Sequence, residues 1–524
     1  MMKNARLRAA ALFCLFLLAG GALSACMKFE LLYDFFQYHY YNGFAFWHNR
    51  LGVDVAPASV PTFYNPLLDA EVYALMTLLR NHVSVYFFVQ GLWFGALMYV
   101  AFRISALYFD LSTRSGKVFA ALTVAVCATG TEAWFQMGTE THEIETSLLV
   151  LIALYLLLKD KKRFFVAGLL LGMAAGFKLT AAIYCISTGI TLILFYKTLD
   201  KPLKSIAVFA LGGLVGFLAV DGFWMVKLWN LYGNPFFPFW NGVFKSPYFP
   251  EYNYVDTLHL DGKTLWDRLF APFLMAYQYC FTAHLYTADP RFAAAVVVGG
   301  IALVSCRKRM NRRVLFMGVY AVVGFVVWEI VSFNSRFLVP VEVVVGVLMT
   351  DALRVFWKKH PELTLKTAVP YAAAVVLLYA FLAVPFVTEP WGRLTSLNFI
   401  QERVTLPENS ALWLKGAFAT HVAADVLRDN PQARAVVYSA HKSISDWNMN
   451  RYGKMAQAAR DAVKGRKLYA LMDKIFWADN QTIDVRDDLW DCTRLRMDKV
   501  SEFDGKHYYF LCELKAEAER GDSE

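Results

Sequence analysis

Charged residues are scarce in this sequence of 524 residues, and metal-binding spacings are absent from it. Only 18% of the residues are Asp, Glu, Lys or Arg, whereas 57% are hydrophobic. The sequence has no Cys-X-X-Cys pair, His-rich tract or internal repeat, so neither a cysteine-based metal centre nor a repeat architecture is indicated. A composition this apolar excludes a soluble protein of this length and indicates a polytopic membrane protein.

Apolar segments long enough to cross about 30 Å of hydrocarbon recur through the first three quarters of the chain. After an N-terminal span, further spans are predicted near 83–104, 117–136, 147–158, 164–183, 187–196, 205–226, 292–306, 314–331, 337–354 and 367–387. Connections such as 159–163 (KDKKR) and 307–313 (RKRMNRR) are basic, whereas 137–146 (MGTETHEIET) has no Lys or Arg. The positive-inside rule therefore predicts about eleven transmembrane helices, with the C-terminus outside the cytoplasm. The net charge of +9 is then no sign of nucleic-acid binding.

The N-terminal segment places Lys3, Arg6 and Arg8 before a long apolar run, which is typical of a signal-type start. It ends in LSAC at Cys26, a sequence similar to a lipoprotein cleavage site, so lipidation of Cys26 is one interpretation. We favour an uncleaved first span, because the later spans need a first anchor of this orientation.

The predicted organisation is an all-α transmembrane domain over residues 1–387, followed by a small extracytoplasmic α/β domain over residues 388–524. Two outer connections, 27–82 and 227–291, are too long to be simple turns. The Pro, Gly and aromatic residues of the second connection favour a folded loop at the membrane interface.

Periodicity in the C-terminal domain predicts alternating helices and strands and a final hairpin. The predicted elements are helices at Ala411–Arg428 and Arg451–Val463, strands at Ala433–Ser439 and Lys467–Met472, and hairpin strands at Arg494–Phe503 and Lys506–Leu514. Cys492 precedes the first hairpin strand and Cys512 lies at the end of the second, so a disulfide between them is reasonable in an oxidising compartment; two free thiols are the alternative.

The first outer connection contains an unusual stretch, Tyr33–Glu71, that combines many aromatic rings with several acids. Asp34 is the first carboxylate of this stretch and could accept a proton from a hydroxyl. Aromatic rings on both sides of one acid favour a partly dry pocket in which a sugar can stack against the rings. The predicted pocket residues are Tyr38, His39, Tyr40 and Asn42, with Asp54 as a second acid. A solvated loop Asp and an interfacial His are the alternatives.

Three cations are predicted near the outer face, where the topology otherwise disfavours them. Lys178 lies in the outer half of its predicted span, and Arg336 lies at the outer mouth between two spans. Arg336 has the planar geometry that suits phosphate oxygens, whereas Lys178 needs an anionic partner or must snorkel outward. Lys227, at the outer end of another span, is a weaker candidate. The cluster Glu140, His142, Glu143 and Glu145 could hold a divalent cation, although an ordinary acidic loop is favoured.

Several of these segments resemble the GT-C superfamily of integral-membrane glycosyltransferases, in its bacterial polyprenyl-phosphate-sugar-dependent, mannosyltransferase-like branch. The similar segments are Asp34 in the first outer loop, YGNPFFP at 232–238 with Asn234, SRFLVP at 335–340, and GMAAGFKLT at 172–180. The resemblance covers roughly residues 1–390. It implies that Asp34 is the general base, that Arg336 and Lys178 hold the lipid phosphate, and that transfer inverts the sugar. Many relatives have two adjacent acids where this sequence has Tyr33 and Asp34, which leaves a metal requirement open.

The leading hypothesis is a glycosyltransferase that moves a sugar from a polyprenyl-phosphate carrier to a lipid, glycan or protein acceptor outside the cytoplasm. A ligase or polymerase of lipid-linked glycans is an alternative, with a diphosphate-linked oligosaccharide donor. A lipid or glycan flippase is an alternative of another class, but the two related halves with broken helices that transporters often have are missing from the sequence. The sequence requires no cofactor.

Overall fold

The structure is a computed structural model that describes most of the chain. The described residues are 2–27, 34–160, 163–255, 259–277, 288–306, 311–359, 397, 399–400, 402–415, 419–437, 453–475, 490–497 and 507–515. The predicted span 367–387 and the predicted domain boundary at 388 lie outside them.

Helices account for most of the described chain. In chain order they are α1 (Met2–Met27), α2 (Tyr40–Trp47), α3 (Leu67–Leu78), α4 (Val83–Ser105), α5 (Arg114–Ala128), α6 (Thr131–Phe135), α7 (Glu143–Lys159), α8 (Phe164–Phe177), α9 (Ala182–Leu194), α10 (Pro202–Tyr232), α11 (Asn241–Phe244), α12 (Leu265–Leu269), α13 (Ala271–Leu274), α14 (Arg291–Cys306), α15 (Arg312–Val331), α16 (Val339–Lys359), α17 (Ala419–Asp429) and α18 (Gly453–Val463). A π-helix spans Phe35–His39, and 3-10 helices span Val60–Phe63, Leu179–Ala181, Tyr196–Thr198 and Ser335–Leu338.

The C-terminal part contains one five-stranded sheet with the order β2-β1-β3-β5-β4. Its strands are β1 (Ser410–Lys415), β2 (Arg434–Val437), β3 (Lys467–Ile475), β4 (Trp490–Arg494) and β5 (His507–Leu514). Strand β1 lies between β2 and β3 and runs parallel to both, with Leu412 opposite both Ala435 and Tyr469. Strand β5 runs antiparallel to β3 and β4 and places Cys512 opposite Cys492. These two cysteines form a disulfide with an S–S distance of 2.08 Å.

The sheet corrects two predicted elements. The prediction of a helix from Ala411 is wrong over its first turns, because Ser410–Lys415 is a strand and the helix begins at Ala419. Apolar side chains are buried on both faces of this strand, so it lacks the polar alternation that marks a half-exposed strand. The first hairpin strand, predicted at Arg494–Phe503, lies at Trp490–Arg494, so it ends at the residue where the predicted strand begins.

Four helices among the described residues are long and apolar enough to cross a membrane. They are α4, α10, α15 and the part of α1 from Arg6 to Met27. The helix α10 exposes large apolar side chains such as Leu211, Leu214 and Leu218, as a lipid-facing helix does. The predicted count of about eleven spans is not confirmed.

The chain divides into two compact units. The first unit comprises Met1–Met27, Phe87–Gly222 and Asp256–Glu389. In it, α8 and α10 touch backbone to backbone through glycine. A Cβ atom at Gly172 would lie 1.9 Å from the carbonyl oxygen of Gly213, and one at Gly168 would lie 2.0 Å from that of Phe209. Only small residues permit this approach, which explains the glycines at positions 168 and 172.

The second unit comprises Lys28–Tyr86, Phe223–Val255 and Pro390–Glu524. All three segments contribute to one hydrophobic core, whose buried members include Phe63 from the first, Trp224 and Phe237 from the second, and Val436 and Met455 from the third. Sequence reasoning treated the first outer connection and the C-terminal residues as separate parts. In the structure they share a core.

Candidate functional site

The candidate base Asp34 lies at the start of an unusual turn of helix. It is half-buried and immediately precedes the π-helix Phe35–His39, which continues into α2. The hydroxyl of Tyr38 donates a hydrogen bond to Asp34 Oδ2 over 3.3 Å. A short π-helical turn is rare and occurs preferentially at functional sites. The aromatic and acidic stretch predicted as an outer loop is therefore helical where it carries Asp34.

His39 forms a buried pair with a carboxylate from α3. Its Nδ1 lies 2.6 Å from Asp69 Oδ1, and both side chains are about nine-tenths buried or more. The pair requires α2 and α3 to approach closely, and a Cβ atom at Gly43 would lie 2.3 Å from the carbonyl oxygen of Asp69. The ring of Tyr38 covers the imidazole with a centroid distance of 4.1 Å. A carboxylate in this position fixes the orientation of the imidazole, as in other His–Asp pairs.

Tyr40 and Asn42 are the other predicted pocket residues, and both are buried. The Tyr40 hydroxyl donates to Asp425 Oδ1 over 3.1 Å, and burial raises the pKa of the Asp425 carboxyl. The Asn42 amide donates to the carbonyl oxygen of Pro61 over 2.9 Å. Asn42 also lines a narrow cleft together with Lys227 and Trp224.

Asp54, the predicted second acid, is the centre of a buried ion pair. It is 5% exposed and accepts hydrogen bonds from Arg50 over 2.5 and 2.8 Å, from the Tyr41 hydroxyl, and from the backbone N–H of Ala435 over 2.8 Å. Arg50 also donates to the carbonyl oxygens of Pro431 and Ala433. Burial and the neighbouring Asp54 raise the pKa of Tyr41 well above its ordinary value. Through these contacts Asp54 joins Arg50, Tyr41 and the backbone of Ala435, which is the arrangement of a residue that stabilises the fold.

In the first unit, two of the predicted phosphate-binding cations lie against the same aromatic ring. Lys178 Nζ is 5.5 Å and the Arg336 guanidinium carbon is 5.9 Å from the centroid of Phe337. Lys178 follows the end of α8 in extended backbone, so it lies at a helix break and the predicted helix over 164–183 is interrupted there. Its ammonium donates to Glu143 and, over 2.6 Å, to the carbonyl oxygen of Thr141. Both cations are partly exposed.

The acids of the predicted outer connection 137–146 are buried in the first unit, unlike those of an exposed acidic loop. Glu140 is 1%, Glu143 4% and Glu145 9% exposed. His142 adopts a left-handed conformation, with φ of 64°, and places its Nδ1 3.5 Å from Glu145. The ammonium of Lys178 supplies a counter-charge to one of these acids, because it pairs with Glu143.

Lys227 and Asn234 both lie in the second unit. Lys227 donates to Asn49 Oδ1 over 2.9 Å and lies 5.8 Å from the ring of Trp224. Asn234 is fully buried, and its side chain bonds to Phe239, Asn241 and the N–H of Phe236. Asn234 therefore holds the turn after α10 by contacts within its own loop.

Two groups of buried residues were missed by sequence reasoning. Arg291 is 0% exposed and lies 2.5 Å from both Asp289 and Glu342. Glu342 also accepts hydrogen bonds from the backbone N–H groups of Glu132 and Ala133. The sequence signal for this group was Glu342, because an acid within the apolar segment 337–354 needs a partner. Thr420 and Asp425, which contact the Asp34 region, had no sequence signal.

Comparison of the whole chain with solved structures finds similarity over nearly its full length. The crystal structure of ArnT from Cupriavidus metallidurans bound to undecaprenyl phosphate has a TM-score of 0.56 and 12% identity, covering 96% of this chain and 97% of that chain. This chain has an ArnT-like fold. The apo state of ArnT gives a TM-score of 0.53 and 13% identity, covering 97% and 98% of the two chains. No family model and no curated protein matches the sequence.

The ArnT-like fold agrees with the GT-C-like architecture that the sequence motifs indicated, a polytopic helical protein with a small C-terminal sheet. At 12–13% identity the similarity concerns the fold alone. The roles of individual residues must therefore come from their own chemistry.

Proposed function

We propose that the protein is a membrane glycosyltransferase that transfers a sugar from a polyprenyl-phosphate carrier to an extracytoplasmic acceptor. The observation that carries the proposal is the fold shared, over 96% of the chain, with an ArnT structure that holds undecaprenyl phosphate. The motif resemblance to GT-C enzymes supports it independently, because it rests on short sequence segments and not on the chain trace. The periplasmic side of the inner membrane is the proposed location, from the charges of the connecting loops.

Lys178 and Arg336 are proposed to hold the phosphate of the carrier. Both are partly exposed and flank Phe337, and an Arg fork together with a Lys point charge suits a phosphate monoester or diester. The phosphate is also the leaving group, so cations placed on it stabilise the charge that develops as the glycosidic bond breaks.

Asp34 is proposed as the general base. Its carboxylate would accept the proton of the acceptor hydroxyl, while that oxygen attacks the anomeric carbon and the polyprenyl phosphate departs from the opposite face. The sugar configuration is then inverted. Tyr38, which donates to Asp34, and His39, which Asp69 orients, are proposed to line the acceptor side. Asn42 and Lys227 line a neighbouring narrow cleft and are proposed to contact the acceptor from there.

Incubation of the purified protein in detergent with radiolabelled polyprenyl-phosphate sugars and a membrane lipid extract tests the proposal. The expected result is a new labelled product with release of free polyprenyl phosphate. Movement of the labelled lipid across a reconstituted bilayer with no new glycosidic bond would instead identify a flippase. Product formation only from diphosphate-linked oligosaccharides would identify a ligase or polymerase.

A further inference from the structure

The π-helix that follows Asp34 packs against one helix of the C-terminal segment. This helix, α17, has an unbroken run of buried residues from Ala419 to Leu427. The Thr420 hydroxyl donates to the carbonyl oxygen of Phe36 over 2.7 Å and also contacts that of Gln37. Both carbonyls belong to the π-helical turn. The contact thus joins residues 384 positions apart in one compact unit.

The position of the Thr420 hydroxyl matters because of π-helical geometry. In a π-helix the backbone hydrogen bonds run from residue i+5 to residue i, one residue further than in an α-helix, and the N–H of Tyr40 accordingly donates to the carbonyl oxygen of Phe35. Buried carbonyl groups need a donor, and Thr420 is 3% exposed and supplies one. We expect loss of this donor to weaken the π-helical turn relative to an ordinary α-helical turn. The position of Asp34, which immediately precedes the turn, would change with it.

Two further contacts fix the same turn from α17 and its surroundings. The Tyr40 hydroxyl bonds to Asp425, which in turn accepts a hydrogen bond from Arg428 over 2.6 Å. The fully buried ring of Phe399 lies 5.7 Å from Phe35 and 4.8 Å from Tyr40. The π-helix is therefore held at its start by an aromatic contact, in its middle by Thr420, and at its end by Asp425.

We infer that α17 is a positioning element for the reaction and that Thr420, through the carbonyls of the π-helix, sets the orientation of Asp34. Thr420 is a positioning residue in this assignment, since it acts through the backbone and not on the substrate. The inference rests on the proposed function insofar as it concerns catalysis. It gives the C-terminal residues a role in the chemistry that the sequence left open.

Thr420→Val tests the inference, because valine keeps the shape of threonine and removes its hydroxyl. The expected result is a kcat about 10- to 100-fold lower, the range in which small misplacements of reacting groups act, with the KM for the donor nearly unchanged. Thr420→Ser, which restores the hydroxyl, should recover most of the activity. Ser410→Ala is the matched control, because Ser410 is equally buried and its hydroxyl donates to Pro407 within the same unit. It should leave kcat unchanged.

Amide hydrogen exchange supplies a second measurement that does not depend on activity. Thr420→Val should accelerate exchange at the amides of residues 35–40, and Ser410→Ala should not. Unchanged exchange and unchanged kcat in Thr420→Val would overturn the inference, and so would faster exchange with unchanged kcat. If Thr420→Val fails to fold, Tyr40→Phe removes the contact to Asp425 and is judged by the same two outcomes. If the wild-type protein transfers no sugar, the proposed function fails, whereas the exchange experiment still decides whether Thr420 holds the turn.

Discussion

Asp34 and Asp54 lie twenty residues apart in the same segment, yet they have very different surroundings. Asp54 is 5% exposed and is surrounded by Arg50, Tyr41 and the N–H of Ala435. Asp34 is half-buried, starts a π-helix and contacts a tyrosine hydroxyl. A carboxylate that is buried among strong donors stabilises the fold, whereas one that keeps some exposure at an irregular helix start can meet a substrate. The difference separates structural acids from candidate catalytic acids.

The largest effect is expected for Asp34→Asn, which removes the proposed base and keeps the size of the side chain. Transfer should fall by roughly 10²- to 10⁴-fold, the usual contribution of a positioned general base. The unfolding temperature should stay near that of the wild type. Glu408→Gln, at an exposed position of the second unit, is the control for a lost carboxylate and should transfer normally.

Asp54→Asn should act on stability instead. Removal of one partner from a buried ion pair leaves Arg50 without its counter-charge and costs about 3–5 kcal/mol. Denaturant unfolding of the purified protein measures the loss, with Asp491→Asn on the exposed face of β4 as the comparison. Normal stability of Asp54→Asn, accompanied by lost transfer, would reverse the roles assigned to the two acids.

Arg336→Ala should weaken donor binding. The loss of charge-assisted hydrogen bonds to a phosphate is worth about 1.5–3 kcal/mol, which corresponds to a rise of roughly 10- to 100-fold in the KM for the donor. Arg103→Ala is a matched control, because Arg103 is a partly buried arginine of the same unit that bonds to Tyr99 and Tyr155. An unchanged KM in Arg336→Ala would remove this residue from the donor site.

The smallest effect is expected for Lys227→Ala. Its ammonium bonds to one amide oxygen and lies over Trp224, and no carboxylate among the described residues pairs with it. Stability should change by less than about 1 kcal/mol, as for other exposed charged contacts. The KM for the donor should stay constant, and the KM for a lipid acceptor should rise by a few fold. A rise in the donor KM equal to that of Arg336→Ala would assign Lys227 to the phosphate instead.

The sequence allowed the helical architecture, most elements of the C-terminal sheet and the Cys492–Cys512 pair to be predicted, because these depend on local periodicity and composition. It misassigned Ser410–Lys415, since a short apolar run buried on both faces has the same pattern in a helix and a strand. The boundaries of α8 and α10 were also imprecise, because apolar composition does not reveal the helix break at Lys178 or the continuation to Tyr232.

The roles of individual polar residues were less predictable, because their partners are remote in sequence. Asp54 could be recognised as an acid near a predicted pocket, but its contact with Ala435 depends on how the chain folds back on itself. The same holds for Tyr40 and Asp425. Lys178 and Arg336 were chosen one at a time, and only the fold places both against Phe337.

The central claim is that Asp34 serves the reaction while Asp54 serves the fold. The most direct test measures sugar transfer from the labelled donor and the free energy of unfolding on the same preparations of wild type, Asp34→Asn and Asp54→Asn. We predict that Asp34→Asn loses transfer and keeps its stability, whereas Asp54→Asn loses stability and retains transfer in the fraction that remains folded. Transfer by folded Asp34→Asn at the wild-type rate would contradict the account.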